Sequence, residues 1–517
     1  MAAVARPLVW FYHEFGIDSI QKTGRNAWLM IAARSLRMFA YGTNALILAL
    51  FFSELGFPDS RIGLFMTLTL LGDVFLGTFL TLIADRFGRR KILFVGSFLM
   101  VLTGLCFALF ENFWILLFAA IVGVVSATGG DFGPFRSIEE SIISQLTTPS
   151  TRSDVLAWYV TLSSWGSSLG SEASGRIIDY LQNKDGWTIK DAYHSLFWIY
   201  AVMGIVNAVI VFCLSKDCEA DALQEEKNKY EQVAQEESDD NSFELTEHDS
   251  DNNSPVEPSS NPTTVPVTSS SKFKALATRL TSWTGHISGP TLSVVWKLWA
   301  LLALDSLADG MVPYSLTTYY MDTKFHPKKS TLGDAVSISY FLQAIGGLFA
   351  GPLARNIGLV NTMVFTHIPS SAAVLLFAWP NLFWLTVILL FVRSGLNNMD
   401  QAPRTALIAA IVKPEERTAV MGITSMLRTL AATTGPMVTG FLAGSDRFWV
   451  AFVAGGAFRL TYDVGLWVLF VNIKLHQHEK PADDDELEVV QQFRLSHSEE
   501  EEESASNEHG RLSNDSE

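Results

Sequence analysis

The chain has 517 residues, of which 49% are hydrophobic and 17% are charged, and its formal net charge is −16. So large an apolar share excludes an ordinary acidic soluble enzyme and favours membrane-spanning helices. The acidic excess lies in residues 215–271, with a net charge of −12, and in residues 473–517, with −10, so the remainder carries +6. This body has no dense basic face, and the acidic runs would repel phosphate, which argues against nucleic-acid binding.

Twelve apolar runs are long enough to cross a bilayer, since a helix needs roughly 20 mostly apolar residues for a core of about 30 Å. They fall into two blocks of six. The predicted spans are 28–52, 61–84, 91–111, 113–139, 153–179, 193–214, 295–320, 332–354, 360–379, 382–411, 418–443 and 448–472. The sequence therefore predicts an all-α membrane protein with an N-terminal bundle at 28–214 and a C-terminal bundle at 295–472.

Three segments lie outside the predicted bundles: residues 1–27, 215–294 and 473–517. The linker and the tail are rich in acidic and small polar residues, so they cannot bury enough apolar surface to fold, and both are predicted to be disordered. Serines in acidic contexts suggest a kinase as a partner, although a plain solvated spacer explains the same composition. These serines are Ser238, Ser250, Ser496 and Ser498.

Basic residues in the short loops predict the orientation of the chain. The loop after span two has four of them, at Arg86 and 89–91, and the loops after spans three and nine have none, although the loop after span seven is an exception with Lys324, Lys328 and Lys329. We therefore expect the even-numbered loops, the linker and both termini to be cytoplasmic. The membrane is the plasma membrane or that of an internal organelle.

The two blocks repeat each other at polar positions. Arg37 stands five residues before Gly42 in span one, and Asp305 stands five before Gly310 in span seven. An Asp-x-x-Pro pattern then follows 89 and 90 residues after the respective glycines. A repeat at this spacing predicts two pseudo-symmetric six-helix bundles around a central cavity.

The loop after span two reads Asp85-Arg-Phe-Gly-Arg-Arg-Lys91, and it resembles the signature of the major facilitator superfamily. Thr81 stands where the family pattern has a glycine, and the matching loop of the second block is degenerate. The resemblance covers about residues 28–472 without the linker. It implies a carrier that works by alternating access, with a cytoplasmic latch formed by Asp85, Arg86, Gly88, Arg89 and Arg90.

Charged residues inside the spans need a partner or a function, because each costs roughly 2.5–3.5 kcal/mol at the bilayer centre. Arg34 and Arg37 share one face of span one, and Asp305 and Asp309 share one face of span seven. We expect the two pairs to face each other across the cavity, either as a gate on the substrate path or as a structural salt bridge. Asp73, in mid-span two, is a second candidate for proton coupling.

Prolines mark two further sites, because proline removes a backbone hydrogen bond and kinks a helix. One proline lies in span four and one in span ten, each three residues after an aspartate. Charged residues follow each proline within the next turn or two. We predict kinks that serve as gates, or alternatively ties between helices, at Asp131, Pro134, Glu139, Asp400, Pro403 and Arg404.

Other charged residues within the spans have two interpretations each. Arg393 and Arg428 could bind an anionic substrate through the bidentate guanidinium, or could pair with acidic residues nearby. Arg459 and Asp463 are one turn apart and are expected to neutralise each other. His367 is more typical of a hydrogen-bonded core histidine than of a proton relay.

The expected function is secondary active transport, most simply proton-coupled efflux of a small organic or toxic solute. Uptake of a nutrient by proton symport or uniport is an alternative, and a membrane sensor or scaffold that signals through its acidic segments is a rival of another class. No motif for ATP, metal or covalent catalysis occurs, so we expect neither an enzyme nor a cofactor.

Overall fold

The computed structural model describes residues 16–123, 134–219, 289–412 and 416–471. In these ranges the chain forms sixteen α-helices, two short 3-10 turns and no strand. The helices are α1 Ile17–Thr23, α2 Arg25–Glu54, α3 Asp59–Phe87, α4 Arg89–Leu109, α5 Phe113–Val122, α6 Pro134–Leu146, α7 Pro149–Gln182, α8 Ile189–Phe212, α9 Gly289–Met311, α10 Tyr314–Phe325, α11 Lys329–Ile357, α12 Leu359–Leu376, α13 Phe383–Asn397, α14 Gln401–Ile411, α15 Arg417–Ala443 and α16 Phe448–Phe470.

Each predicted span other than span four corresponds to one helix or to a broken pair of helices. Span four includes α5 and the start of α6, and residues 124–133 between them lie outside the described ranges. Spans seven and ten were predicted as single helices, and the structure divides both. Pro313 separates α9 from α10, where it stands as the residue before the first turn of α10. In span ten a 3-10 turn at Asn398–Asp400 separates α13 from α14. Pro403 explains this break, because proline has no N–H to donate to the carbonyl of Met399.

The linker is shorter than predicted at both described ends. Residues 215–219 fold against the N-terminal half, and α9 begins at Gly289 rather than at residue 295. Residues 220–288 and the predicted tail at 473–517 lie outside the described ranges.

Seven helices, α2, α3, α4, α8, α9, α11 and α12, are long and apolar enough to cross a membrane by length and composition. The other spans are either broken or richer in polar residues. Large apolar side chains are exposed around the bundle, among them Phe75 and Phe441, each 69% exposed, and Trp379 at 85%. An apolar surface of this extent is unfavourable in water and suits contact with lipid.

The internal repeat has a structural counterpart. Helix α2 packs along α7 in the N-terminal half as α9 packs along α15 in the C-terminal half, and α4 pairs with α8 as α12 pairs with α16. The repeated glycines occupy equivalent contacts: a Cβ atom at Gly42 would lie 2.2 Å from the Ser167 carbonyl oxygen, and one at Gly310 would lie 2.0 Å from that of Ala432. The predicted architecture of two pseudo-symmetric bundles is therefore confirmed.

The halves meet along α3 with α15 and along α7 with α11. Each of the two contacts includes a pair of glycines. Both pairs lie near the same end of the protein, the end with the loops that follow odd-numbered spans. We call this the odd-loop end. A Cβ atom at Gly63 would lie 2.8 Å from Cα of Gly440, and one at Gly175 would lie 3.1 Å from Cα of Gly333. Only residues without side chains allow such close approach of two backbones.

Polar contacts strengthen the junction at the odd-loop end. The Asp179 carboxylate accepts hydrogen bonds from the backbone N–H groups of Lys329 (3.1 Å) and Ser330 (3.0 Å), so a residue of one half caps the first turn of a helix of the other. Tyr319 donates to Asp59 across the same junction at 2.6 Å. The odd-loop end is therefore closed in this structure.

Candidate functional site

A buried ion pair lies at the centre of the N-terminal half. Arg37 of α2 donates from Nη1 and Nη2 to the two carboxylate oxygens of Glu139 of α6, each at 2.7 Å, and both side chains are about 2% exposed. Tyr159 of α7 donates to the same carboxylate at 2.7 Å and accepts a hydrogen bond from Arg34 at 2.8 Å. We call these four residues the arginine–glutamate cluster.

Aromatic rings shield this cluster. The Arg34 guanidinium lies 4.2 Å from the ring centroid of Tyr159, and that of Arg37 lies 4.8 Å from the ring centroid of Phe135. Two parallel charge-assisted hydrogen bonds in so dry a setting fix both geometry and charge. The cluster therefore ties α2, α6 and α7 into one unit.

The predicted pairing of Arg34 and Arg37 with Asp305 and Asp309 is wrong in this conformation. Arg37 binds a carboxylate of its own half, and both aspartates interact with cations of the C-terminal half. The physical reason is that each half provides counterions at the required depth. Neither half needs the other for charge balance.

The C-terminal half contains a larger group of charged side chains, which we call the C-terminal charge cluster. Asp305 of α9 is completely buried, with Arg404 Nη2 at 3.7 Å and His367 Nε2 at 3.8 Å. Asp309, one turn on, lies 3.4 Å from Arg459 Nη1. The members are Asp305, Asp309, His367, Asp400, Arg404, Arg459 and Asp463.

The site predicted around the span-ten proline belongs to this cluster. Asp400 closes the 3-10 turn, Pro403 is buried, and Arg404 binds Asp400 one turn earlier. Arg404 and Asp400 thus form a local ion pair within span ten. The break in the helix allows Arg404 to reach both Asp400 and Asp305.

The matching site in span four is only partly described. Pro134 is the first residue of α6, and Asp131 lies outside the described ranges. Arg136 binds Glu140 at 2.7 Å on a half-exposed face. Glu139, the next residue to Glu140, points instead to the arginine–glutamate cluster.

The predicted direct pair of Arg459 and Asp463 is wrong. Asp463 receives hydrogen bonds from His367 at 2.6 Å and from Ser371 at 2.7 Å, and Arg459 contacts the other ring nitrogen of the same histidine at 2.7 Å. Arg459 also donates to Asn397. His367, which the sequence predicted to be a hydrogen-bonded core residue, thus links Arg459 and Asp463.

Asp73 differs from the acids of these clusters because, among the described residues, it has neither a hydrogen bond nor a cation within ion-pair distance, whereas Asp305 has Arg404 at 3.7 Å. It lies in the middle of α3, its side chain is about 3% exposed, and neither carboxylate oxygen has a hydrogen-bond partner among the described residues. Burial of an ionised carboxylate without a donor is costly, so the neutral acid is the form that this position accommodates best. This site therefore suits uptake and release of a proton.

The two predicted anion-binding arginines have different surroundings. Arg393 is buried and donates to the carbonyl oxygen of Val312 and to Thr317 Oγ1, so it bridges the break between α9 and α10. Arg428 is partly exposed, and its Nε donates to Ser306 at 3.1 Å. Of the two, Arg428 has the access that a ligand would need.

The predicted cytoplasmic latch adjoins the start of the linker. Gly88, with φ of 100°, makes the turn between α3 and α4 in a region that favours glycine. Arg89 donates to Gln145 at 2.8 Å, and the Gln145 amide donates to the carbonyl oxygens of Asp217 at 2.8 Å and Glu219 at 3.0 Å. This loop is therefore connected to the first residues of the linker.

The structure describes the other predicted latch residues only in part. The side chains of Asp85 and Arg86 lie outside the described part of the structure, and Arg90 is half-buried. Its Nε has no hydrogen-bond partner among the described residues. The latch stays a prediction.

The docking of the linker start can be tested through its cysteines. Cys218 is buried, and burial raises the pKa of its thiol to about 11, whereas Cys213 is exposed. Because the thiolate is the reactive form, we expect a maleimide near pH 7 to label Cys213 much faster than Cys218 in single-cysteine variants. Both should react at similar rates in denaturant, and equal rates in the native protein would contradict the docking.

No group of His, Cys, Asp and Glu side chains in the described ranges has the arrangement of a metal site. The chemistry of the described interior is instead that of ion pairs, hydrogen-bonded carboxylates and one unpartnered acid. Such groups can exchange partners or protons as helices move.

Comparisons with known proteins extend over nearly the whole chain. A model of the Major Facilitator Superfamily matches residues 30–296 and 298–502. An uncharacterized membrane protein of Saccharomyces cerevisiae is 31% identical over 452 residues, which are 87% of this chain and 95% of that protein. The multidrug resistance protein MdtH of Cronobacter sakazakii is 26% identical over 142 residues, 27% of this chain and 34% of that protein. The crystal structure of a point mutant of the nucleoside transporter NupG has a similar fold, with a TM-score of 0.62 and 11% identity over 86% of this chain and 100% of that one.

Proposed function

The chain belongs to the Major Facilitator Superfamily, and we propose that it exports a small organic or toxic solute in exchange for protons. It is a multi-pass membrane transporter and not an enzyme. Membership supports secondary transport by alternating access, in which two bundles expose a central site to each side in turn. The coupling ion and the direction are the parts that we add.

Asp73 is the observation that carries the proposal of proton coupling. A carboxylate that is buried with neither a hydrogen-bond donor nor a cation beside it is expected to hold a proton, and to lose it only when a conformational change brings water or a cation to it. Alternating access provides such a change. Proton release at Asp73 would then accompany the movement of the bundles in each cycle.

The predicted orientation assigns a direction to the observed state. If the even-numbered loops are cytoplasmic, the closed odd-loop end faces away from the cytoplasm, and we infer an inward-facing carrier. Such a state would accept solute from the cytoplasm. The partial similarity to MdtH, whose name refers to multidrug resistance, favours export over uptake.

The same orientation predicts on which side of the membrane the segments outside the bundles lie. We place both termini, the linker and the tail on the cytoplasmic side of the plasma membrane or of an organelle membrane. A kinase that acts on the acidic serine-containing segments is a proposed partner. The other partners are the solute, protons and the lipid bilayer.

Substitution of Asp73 by asparagine tests the proposal. In proteoliposomes with an imposed pH gradient and a panel of labelled solutes, we expect the wild-type protein to move at least one solute against its concentration gradient. Asp73→Asn should reduce this gradient-driven flux to the level of protein-free vesicles, because the amide cannot exchange a proton. Exchange of solute between the inside and the outside of the vesicles at equal pH should continue, since it requires no net proton transfer.

Glu111→Gln is the matched control, because it removes a carboxylate from a half-exposed loop position that binds Lys190. This variant should keep the wild-type flux. Gradient-driven flux that survives in Asp73→Asn would contradict the assigned site. Flux in the same direction as protons would instead identify a symporter, and the lack of any solute flux would favour a sensor.

A further inference from the structure

The contacts of His367 determine which ring nitrogen carries its proton. Nδ1 lies 2.6 Å from Asp463 Oδ1, and Nε2 lies 2.7 Å from Arg459 Nη2. A guanidinium only donates hydrogen bonds, so Nε2 must be the acceptor. His367 is therefore neutral in this state, with one proton on Nδ1 that is donated to Asp463. Ser371 fixes the other oxygen of that carboxylate by a hydrogen bond of 2.7 Å.

Addition of a second proton would make this arrangement unstable. Nε2 would then be a donor that faces another donor, the guanidinium of Arg459. The nearest carboxylate oxygen for the new N–H is Asp305 Oδ1, at 3.8 Å. Both oxygens of Asp305 lack a hydrogen-bond partner among the described residues. Protonation would thus break the contact with Arg459 and form an ion pair with Asp305.

The charged groups around the imidazole come from several helices. Asp305 faces it from α9, while Arg459, Asp463 and the ring of Tyr462 face it from α16. On the side of α14, Arg404 lies 3.7 Å from Asp305 and binds Asp400, so it competes for the same carboxylate. Arg393 of α13 binds Val312 and Thr317 instead. One cation must leave or shift when the imidazole becomes charged.

Arg459 is the cation that is free to shift. After loss of the histidine contact it keeps Asn397 and has Asp309 at 3.4 Å as its nearest carboxylate. Asp309 lies in the last turn of α9, immediately before the break at Pro313, and its side chain is 37% exposed. A stronger pull of Arg459 on Asp309 would act on the helix segment next to that break.

We propose that His367 is a proton switch: its protonation exchanges the Arg459–His367 contact for a His367–Asp305 ion pair and so biases the alternating-access equilibrium. The link to transport rests on the proposed function. The switch itself concerns only pH and conformation, and it can be measured without a solute.

Distances between spin labels test the switch. Labels on cysteines at Asp185 and Ser445, exposed positions in odd-numbered loops of the two halves, report closure of the odd-loop end in a background without the three native cysteines. Between about pH 5 and 8, we expect the wild-type distance distribution to change with one midpoint.

Three variants separate the switch from a structural role. His367→Gln should abolish the pH dependence of the distance distribution in this range, because the amide cannot take up the second proton. Asp305→Asn should shift the midpoint, since the imidazolium would lose the anion with which it pairs. His194→Gln is the control: its Nδ1 contacts the Phe107 carbonyl oxygen outside the cluster, and it should keep the wild-type midpoint.

The outcomes are distinct. A pH dependence that is unchanged in His367→Gln, or absent from the wild type, would overturn the switch. If His367→Gln does not fold, Asp305→Asn decides, and an unchanged midpoint overturns the proposal. A histidine-dependent titration together with no gradient-driven flux in proteoliposomes would support the switch and contradict the proposed function.

Discussion

Replacement of Glu139 by alanine is expected to destabilise the protein by about 3–5 kcal/mol, the usual cost of removing one partner from a buried ion pair. Arg37 would lose the carboxylate that it binds through both terminal nitrogens, and Tyr159 would lose its acceptor. The free energy of unfolding in detergent micelles is the quantity to measure.

Two comparisons make this test specific. Glu140→Ala removes the next residue of α6, which forms an ion pair of the same 2.7 Å length with Arg136 but is 39% exposed, so we expect a loss of no more than about 1 kcal/mol. The double replacement of Arg37 and Glu139 by methionine should recover much of the stability, because no unpaired charge remains. Similar losses for Glu139→Ala and Glu140→Ala would contradict the role of the cluster.

Alanine at Gly63 or Gly175 is expected to prevent closure of the odd-loop end. The added Cβ atoms would lie 2.4 Å from the Pro436 carbonyl oxygen and 2.5 Å from that of Lys329, both of them backbone atoms that a rotamer change cannot move. The helices must separate instead. A cost of about 1.4 kcal/mol already shifts the equilibrium between two states tenfold, so we expect a wider odd-loop end and solute flux reduced by about tenfold or more.

Gly347 provides the matched control, because it lies in α11 with Gly333 and a Cβ atom there would meet nothing within 4 Å. Gly347→Ala should leave flux and the distance between labels at the odd-loop end unchanged. A Gly63→Ala or Gly175→Ala protein with wild-type closure would show that the halves do not pivot on these contacts.

Much of the fold was predictable because span length and the internal repeat are local or periodic properties of the chain. The equivalent positions of Gly42 and Gly310 are visible as equal spacings, and the structure gives them equivalent contacts. The sequence predicted a kink at Pro403 in span ten, but it did not predict the break that Pro313 makes in span seven. Apolar residues continue on both sides of Pro313, so hydropathy alone does not reveal that break.

The charge partners were harder to predict, since sequence indicates the depth of a residue but not the direction in which its helix faces. Arg37 and Asp305 do occupy equivalent positions in the repeat. Their partners, however, depend on the rotation of other helices: Glu139 is 102 residues from Arg37, and His367 is 92 residues from Arg459. A histidine in an apolar span, with an arginine and an aspartate one turn apart in another span, was the available signal.

Proton-coupled export is the central claim, and the wild-type arm of the proteoliposome measurement tests it most directly. With the even-loop face inside the vesicles and a more acidic exterior, we predict outward movement of a labelled solute that stops when the pH gradient is dissipated and reverses when the gradient is reversed. Solute movement that is unaffected by the gradient would contradict the claim.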